Sequence, residues 1–320
     1  MNSWVVFGVG QKNCATGWHC GGFADNSFPR CRVLLYSAIS IFAIMAYLAP
    51  SDFAQAGPGL CPKSGTRRGR VASVSERLEL TLTDRIQLKI AGVEPPHPTP
   101  ENSELDIVSR DRLAQWLVGQ DIAYQPVGPS LDRWGRLQAF VFAPPQDIGE
   151  RQDDPLLAVG EALLDAGLAR YDPGPAAHDC KASLLAAEAA ARTAALGLWA
   201  DPYYSVIAAT DHPSFAEKFG TAVIVEGRIT AIADRRPRIM LYFGPRPGWD
   251  FSVAFFQQSS KAFEESYASI AAFNGRNVRV RGLLDGRFGP QIEISDPDEI
   301  EVIENQRNVE AVPSLTPAPR

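Results

Sequence analysis

Residues 68–92 read RGRVASVSERLELTLTDRIQLKIAG. Val71, Leu78, Leu80, Leu82, Ile86, Leu88 and Ile90 alternate with polar residues at the period of a strand, and Thr83-Asp84 interrupts the run as a turn. A sheet with one face on a core and one in water needs this alternation, so the stretch predicts a twisted antiparallel meander. The following VEPPHPTPENS carries prolines at 95, 96, 98 and 100. Four residues without a backbone N–H and with fixed φ exclude both helix and central strand and leave a rigid loop.

Beyond this loop, apolar Leu105, Val108, Leu113, Trp116 and Leu117 recur at helical spacing from about Ser103 to Val118. Two strand-like segments follow, DIAYQPV at 121–127 and LQAFVFA at 137–143, with LDRWGR between them. Helices are predicted over Pro155 to Ala169, ending at Gly167, and over the alanine-rich HDCKASLLAAEAAARTAALGLWA, closing at Gly197-Leu198-Trp199. After a linker, DPYYSVIAATDHPSF, a second block supplies TAVIVEGRITAIAD, RIMLYFG, DFSVAFFQ, the amphipathic KAFEESYASIAAFNG, then NVRVRGLLDG and PQIEISDPDEIEVIE. Five strands with a helix between the third and fourth is the element order of an OB-fold barrel. No pattern survives after Asn305, and the tail 306–320 reads as disordered.

Length and composition bound the function. A chain of 320 residues with 45% hydrophobic and 21% charged residues can bury two cores. Its formal net charge of -6 excludes a protein that coats nucleic acid through bulk positive charge, so phosphate recognition has to be local. Near the N-terminus, Arg30 and Arg32 precede the apolar run Val33 to Ala49, followed by Pro-Ser-Asp and a small-x-small site, Ala54-Gln55-Ala56. That order predicts a signal peptide within residues 1–56, with an uncleaved anchor as the alternative, and places the rest outside the cytoplasm, periplasmic or secreted. Cys14, His19 and Cys20 ahead of it match no zinc spacing. Of the five cysteines, only Cys61 and Cys180 follow Ala56, and in an oxidising compartment these two can form one disulfide.

Several blocks carry a family likeness: DRWGR leading into a strand at Asp132 to Phe142, VGEALLDAGLARY at Val159 to Tyr171, EAAARTAALGLWA at Glu188 to Ala200, and KIAGVEPP at Lys89 to Pro96. Together, in order, they resemble the staphylococcal (thermonuclease-like) nuclease family, itself an OB barrel with helices. The resemblance covers about 66–202 and implies calcium-assisted hydrolysis of a phosphodiester in DNA or RNA. Such chemistry needs a divalent cation and guanidinium groups against the charge building on phosphate, and a carboxylate to take a proton from water.

Carried over by position, the resemblance implies Arg136 as one phosphate arginine and aligns Lys89 with the other. Lys89 brings charge without the bidentate fork. The metal aspartates align with Glu76 and Glu94, and the general base with His97, or with Glu101 if the proline-rich loop is reshaped. Because a misplacement of about 1 Å can cost on the order of a hundredfold in rate, these replacements predict a weak or inactive site. The plain readings stand beside these: Glu76 as a solvated turn residue, His97 as an exposed loop histidine, Trp134 and Trp199 as packing or cover. In the second block, Arg279 and Arg281 share one strand face, and aromatic residues including Trp249 flank the preceding strands. They form either a single-strand-binding surface or a filled barrel whose arginines pair with Glu226, Glu293 or Glu301.

The expected molecule is therefore mainly β with α, of the α+β class: a thermonuclease-like OB barrel with helices at 66–202, then a second OB-like five-stranded barrel at 216–305. Two functions are open. One is a divalent-metal, calcium-dependent nuclease with a degenerate site; the other is a non-catalytic nucleic-acid-binding or scaffolding protein of the cell envelope.

Overall fold

The computed structural model describes residues 61–146, 156–267 and 269–303. The readings made on residues 1–56 and on the tail 306–320 lie outside the described residues. The meander forms as β1 (Arg67–Val74), β2 (Leu80–Leu82) and β3 (Gln87–Ile90). Ser75 shapes its first turn, where Oγ accepts from the N–H groups of Arg77 and Glu79 at 3.2 Å and Leu78 takes φ 57°. After β4 (Val93–Glu94), helix α1 (Leu105–Leu117) buries Leu105, Ser109, Leu113 and Leu117, one face at a spacing of four. Strands β5 (Asp121–Pro126) and β6 (Leu137–Ala143) follow.

Antiparallel pairs β1–β2, β2–β3, β1–β5 and β5–β6, together with the parallel pair β3–β6, close a five-stranded barrel of OB type. Its interior is the alternating set: Leu80, Leu82, Leu88, Ile90, Leu137, Ala139 and Val141 are all buried. Each such leucine or isoleucine, taken fully out of water, contributes about 1.5–3 kcal/mol before entropy. Strand β7 (Leu157–Ala158) pairs antiparallel with the end of β6, and α2 (Val159–Asp165) follows. Next come β8 (Arg170–Tyr171), paired with β4, and α3 (Lys181–Thr193). The helix expected over Pro155 to Ala169 is thus shorter, because Leu157–Ala158 joins the sheet. Cys61 and Cys180, 119 residues apart, are joined in a disulfide that ties the start of the described chain to the N-terminus of α3.

The stretch read as a linker has structure of its own. It holds β9 (Ile207–Ala208), parallel to β10, and α4 (His212–Lys218). Asp211 starts α4 by accepting from Ser214 Oγ at 2.7 Å, and Phe215 anchors the helix in the second core. The second barrel comprises β10 (Ala222–Arg228), β11 (Ala231–Arg235), β12 (Arg238–Tyr242), β13 (Ser252–Phe256), α5 (Ser260–Tyr267), β14 (Asn277–Asp285), β15 (Gln291–Glu293) and β16 (Ile300–Val302). Its path runs β11-β12-β13-β15-β14-β10-β9, with β13 and β15 parallel and β16 paired with β14, so seven strands, β10 to β16, stand where five were expected and β9 adds an edge. Only Ile229 and Thr230 separate β10 from β11. Phe251, Phe255, Phe263 and Phe273 fill this core, as the packing alternative expects. Both barrels belong to one compact unit, Ala54–Arg320. No helix among the described residues is long and apolar enough to cross a membrane.

Candidate phosphate-binding site

The turn between β5 and β6 is built by Asp132. Its Oδ1 accepts from the N–H groups of Trp134 and Arg136, both at 2.9 Å, and Gly135 completes the reversal at φ 78°. The same carboxylate holds the Arg136 side chain, with Nε 2.8 Å and Nη2 2.7 Å from Oδ2. Glu79, the residue before β2, takes the remaining Nη1. Arg136 is 9% exposed and its fork is filled from both sides. Burial works against the guanidinium's charge, but the hydrogen bonds and charges of Asp132 and Glu79 outweigh it and hold Arg136 above the ordinary arginine value. Desolvation likewise pushes the Asp132 carboxyl up, yet Arg136 and the turn's N–H groups bring it down to about 2. Trp134 stays exposed, with Arg133 and Arg136 stacked 3.9 Å and 4.6 Å from its ring centroid.

The second cation is engaged as well. Lys89 faces outward between buried Leu88 and Ile90 and places Nζ 2.9 Å from Asp172 Oδ2. Glu94 on β4 accepts from Arg170 Nη2 at 2.9 Å, and Arg170 Nη1 donates at 3.0 Å to the carbonyl of Ala222, the first residue of β10. The candidate metal ligands are thus split between two arginines, since Glu76 sits exposed on the β1–β2 turn with Arg110 at 3.8 Å. Among the described residues no three His, Cys, Asp or Glu side chains gather as a metal site. A calcium ion does not fit this donor set, because Glu94 closes on Arg170 and Glu76 stands on an exposed turn with no other acidic ligand gathered to it among the described residues, which leaves too few oxygens for the ion's six to eight ligands.

The base candidates are no better placed. His97 has an exposed side chain, and its backbone is fastened to Tyr204, whose Oη accepts from His97 N–H at 2.7 Å and donates to His97 C=O at 3.1 Å. Glu101 is exposed on the following turn, where its charge acts on Lys218. The proline-rich loop is therefore held in shape by Tyr204 and by Asp201, which accepts from Thr99 Oγ1 at 2.5 Å.

Arg279 and Arg281 are both engaged in ion pairs, and Arg281 also lines a small cavity with Glu94, Arg170 and Asp172. Arg281 is 5% exposed and reaches from β14 to α3 of the first barrel, with Nη1 3.2 Å and Nη2 3.0 Å from the Glu188 carboxylate and Nη2 2.8 Å from Glu301. Arg279 donates to Glu226 at 2.6 Å, its cross-strand neighbour on β10. Glu188 is wholly buried and also accepts from Tyr171 N–H at 3.0 Å. Burial pushes its carboxyl up, and Arg281, the Tyr171 N–H and Arg192 together carry it below the usual range. A second contact between the barrels sets Asp298, also buried, against His178 Nδ1 at 2.8 Å and Lys181 Nζ at 3.0 Å. Position-by-position reasoning missed Asp132, Glu79, Asp172, Arg170 and Glu188, the partners of the residues it named. Only Asp132, four residues before Arg136, left a local signal.

The fold and this face define a class: a pair of OB-like barrels whose candidate site cations are all neutralised internally. No protein-family model matches the chain, and no curated protein matches it.

Proposed function

We propose that the chain is a thermonuclease-like protein of the cell envelope that works as a binding or scaffolding unit without hydrolysing phosphodiesters. The observation that carries this reading is the Asp132–Arg136–Glu79 cluster: a phosphate entering there has to displace two carboxylates from a nearly buried guanidinium. The Lys89–Asp172 and Glu94–Arg170 pairs support it at the neighbouring positions. The disulfide supports an extracytoplasmic location, since such bonds persist in oxidising compartments. In this reading the first barrel is a platform, and the buried charge contacts at Glu188 and Asp298 fix the second barrel to it.

The test is incubation of the purified protein with single-stranded DNA and calcium, beside an EDTA control and Arg136→Ala. The expected result is no metal-dependent cleavage above the level of the variant. Cleavage abolished by both EDTA and the substitution would establish the nuclease and overturn the proposal. Gel shifts across a salt series are expected to show no steep salt dependence, because the candidate site's cations are already paired with carboxylates.

A further inference from the structure

Four large apolar side chains of the second barrel and its leading helix are exposed: Phe219 at 43%, Trp249 at 58%, Leu283 at 61% and Phe288 at 69%. The strand register gathers them at one end. Strands β13 and β15 are parallel and start together, with Ser252 opposite Gln291, so the loops that precede them, 243–251 and 286–290, open on the same side. Ala222, at the start of β10, lies opposite Leu283 near the end of β14, which brings the turn after α4 to that side too. The loops touch. A Cβ at Gly286 would meet the Phe219 ring at 2.9 Å, and one at Gly289 would meet the Gly248 carbonyl at 2.2 Å, where Gly289 also has φ 95°. Three neighbouring connections therefore each end in an exposed ring, and isolated surface apolar residues do not arrange themselves so.

The charges around the rings have a direction. Arg246 pairs with Asp250 at 3.1 Å, and Arg287 pairs with Asp285 at 2.6 Å. In both pairs the carboxylate is the inner partner and the guanidinium the outer: 10% against 63% side-chain exposure for Asp250 and Arg246, 30% against 80% for Asp285 and Arg287. His212 packs beside Trp249, with ring centroids 5.7 Å apart, and Lys218 turns back onto Tyr203. What this end exposes is thus Trp and Phe rings beside two guanidinium groups.

We infer that this end of the second barrel docks on an anionic lipid bilayer surface, inserting Trp249, Phe288 and Phe219 at the headgroup level with Arg246 and Arg287 against lipid phosphates. Indole and phenyl rings on loop tips suit a soft apolar layer that moulds around them, and Trp in particular is favoured at the boundary between hydrocarbon and water. Outward guanidinium groups match the negative surface of such a membrane. The proposal does not depend on whether the first barrel hydrolyses anything.

The experiment uses residues 54–320, the compact unit that contains every described element, so the apolar run upstream makes no contribution. Co-sedimentation is measured with phosphatidylglycerol-containing and with pure phosphatidylcholine vesicles. Binding to the anionic vesicles is expected, falling on the order of tenfold or more in Trp249→Ala/Phe288→Ala. In Arg246→Gln/Arg287→Gln the preference for anionic vesicles is expected to shrink. Brominated lipid should quench the part of the tryptophan emission that Trp249→Phe removes, a readout that misfolding would not imitate. Absence of sedimentation with either vesicle overturns the proposal, as does equal binding by the ring-deleted variant. Lipid-free dimerisation or a single-stranded DNA shift that depends on Trp249, without vesicle binding, would reassign the surface and overturn it too.

Discussion

Arg136 and Arg281 each sit between two carboxylates, and the surroundings of the two arginines differ. Arg136 lies at the rim of one barrel, held by a residue of its own turn and by a neighbouring strand. Arg281 lies between barrels, joining β14 to a glutamate 93 residues away that water does not reach. A local pair of this kind, with the arginine side chain itself only 10% exposed, fixes a turn and removes a cation from service. A desolvated pair between two barrels fixes an assembly, because separating the charges would leave one of them buried alone. The same chemistry, arginine between acids, therefore silences a surface in one place and builds an interface in the other.

Breaking the interface should have the largest effect. Glu188→Ala is expected to destabilise the protein by about 3–5 kcal/mol, measured by urea denaturation, since Arg281 is left with Glu301 in a buried setting. A loss below about 1 kcal/mol would mean that the contact is effectively solvated and that the contrast with Arg136 is wrong. The Glu188 carboxyl is held below its usual range, so its contribution is present above the unfolded value and is lost as pH falls through the folded one. Acid should accordingly loosen the interface between the barrels.

Next in size is the disulfide. Reduction, or Cys61→Ser with Cys180→Ser, is expected to cost about 2–4 kcal/mol by the same measurement, because the bond closes a long loop in the unfolded chain. An unchanged denaturation midpoint after complete reduction would contradict this.

At the rim, the pH dependence sharpens the comparison. NMR titration should place the Asp132 carboxyl midpoint at about 2. Its share of stability is present above the unfolded value and is lost as pH falls from about 4 to about 2, and Asp132→Asn should remove that component of the acid profile. A midpoint in the ordinary aspartate range would show that Arg136 is free of its partner. The smallest effect is expected for Lys89→Ala, under about 1 kcal/mol and weaker still at high salt, since both partners of the Lys89–Asp172 pair are partly exposed.

Much of the fold was legible because it rests on short-range rules. Alternation of period two at 68–92 and 137–143 specifies barrel strands, the spacing of Leu105, Leu113 and Leu117 specifies one buried helix face, and Gly135 with Asp132 specifies the turn between β5 and β6. The element order of the second block specifies its barrel. Less was legible where tertiary pairing overrides local pattern. The DPYYSVIAATDHPSF stretch has weak periodicity of its own and takes shape only because β10 offers β9 an edge and the second core receives Phe215. At the candidate site the charges were legible and their partners were not, whereas in the second block the pairing of Arg279 with Glu226 and of Arg281 with Glu301 was among the sequence readings.

By itself, then, the sequence determined two β-rich blocks with their helices, the single pair of cysteines after Ala56, and the presence of Glu76, Lys89, Glu94 and Arg136 on the first of them. The tertiary structure alone decided what those charges face. Glu79 reaches Arg136 across 57 residues, Asp172 reaches Lys89 across 83, and Glu188 reaches Arg281 across 93. Periodicity reports only which side of a strand or helix a residue occupies. Which opposite charge waits there depends on strands and helices brought together from distant parts of the chain, and burial then makes the pairing binding, because an ion taken out of water keeps its charge only beside a partner.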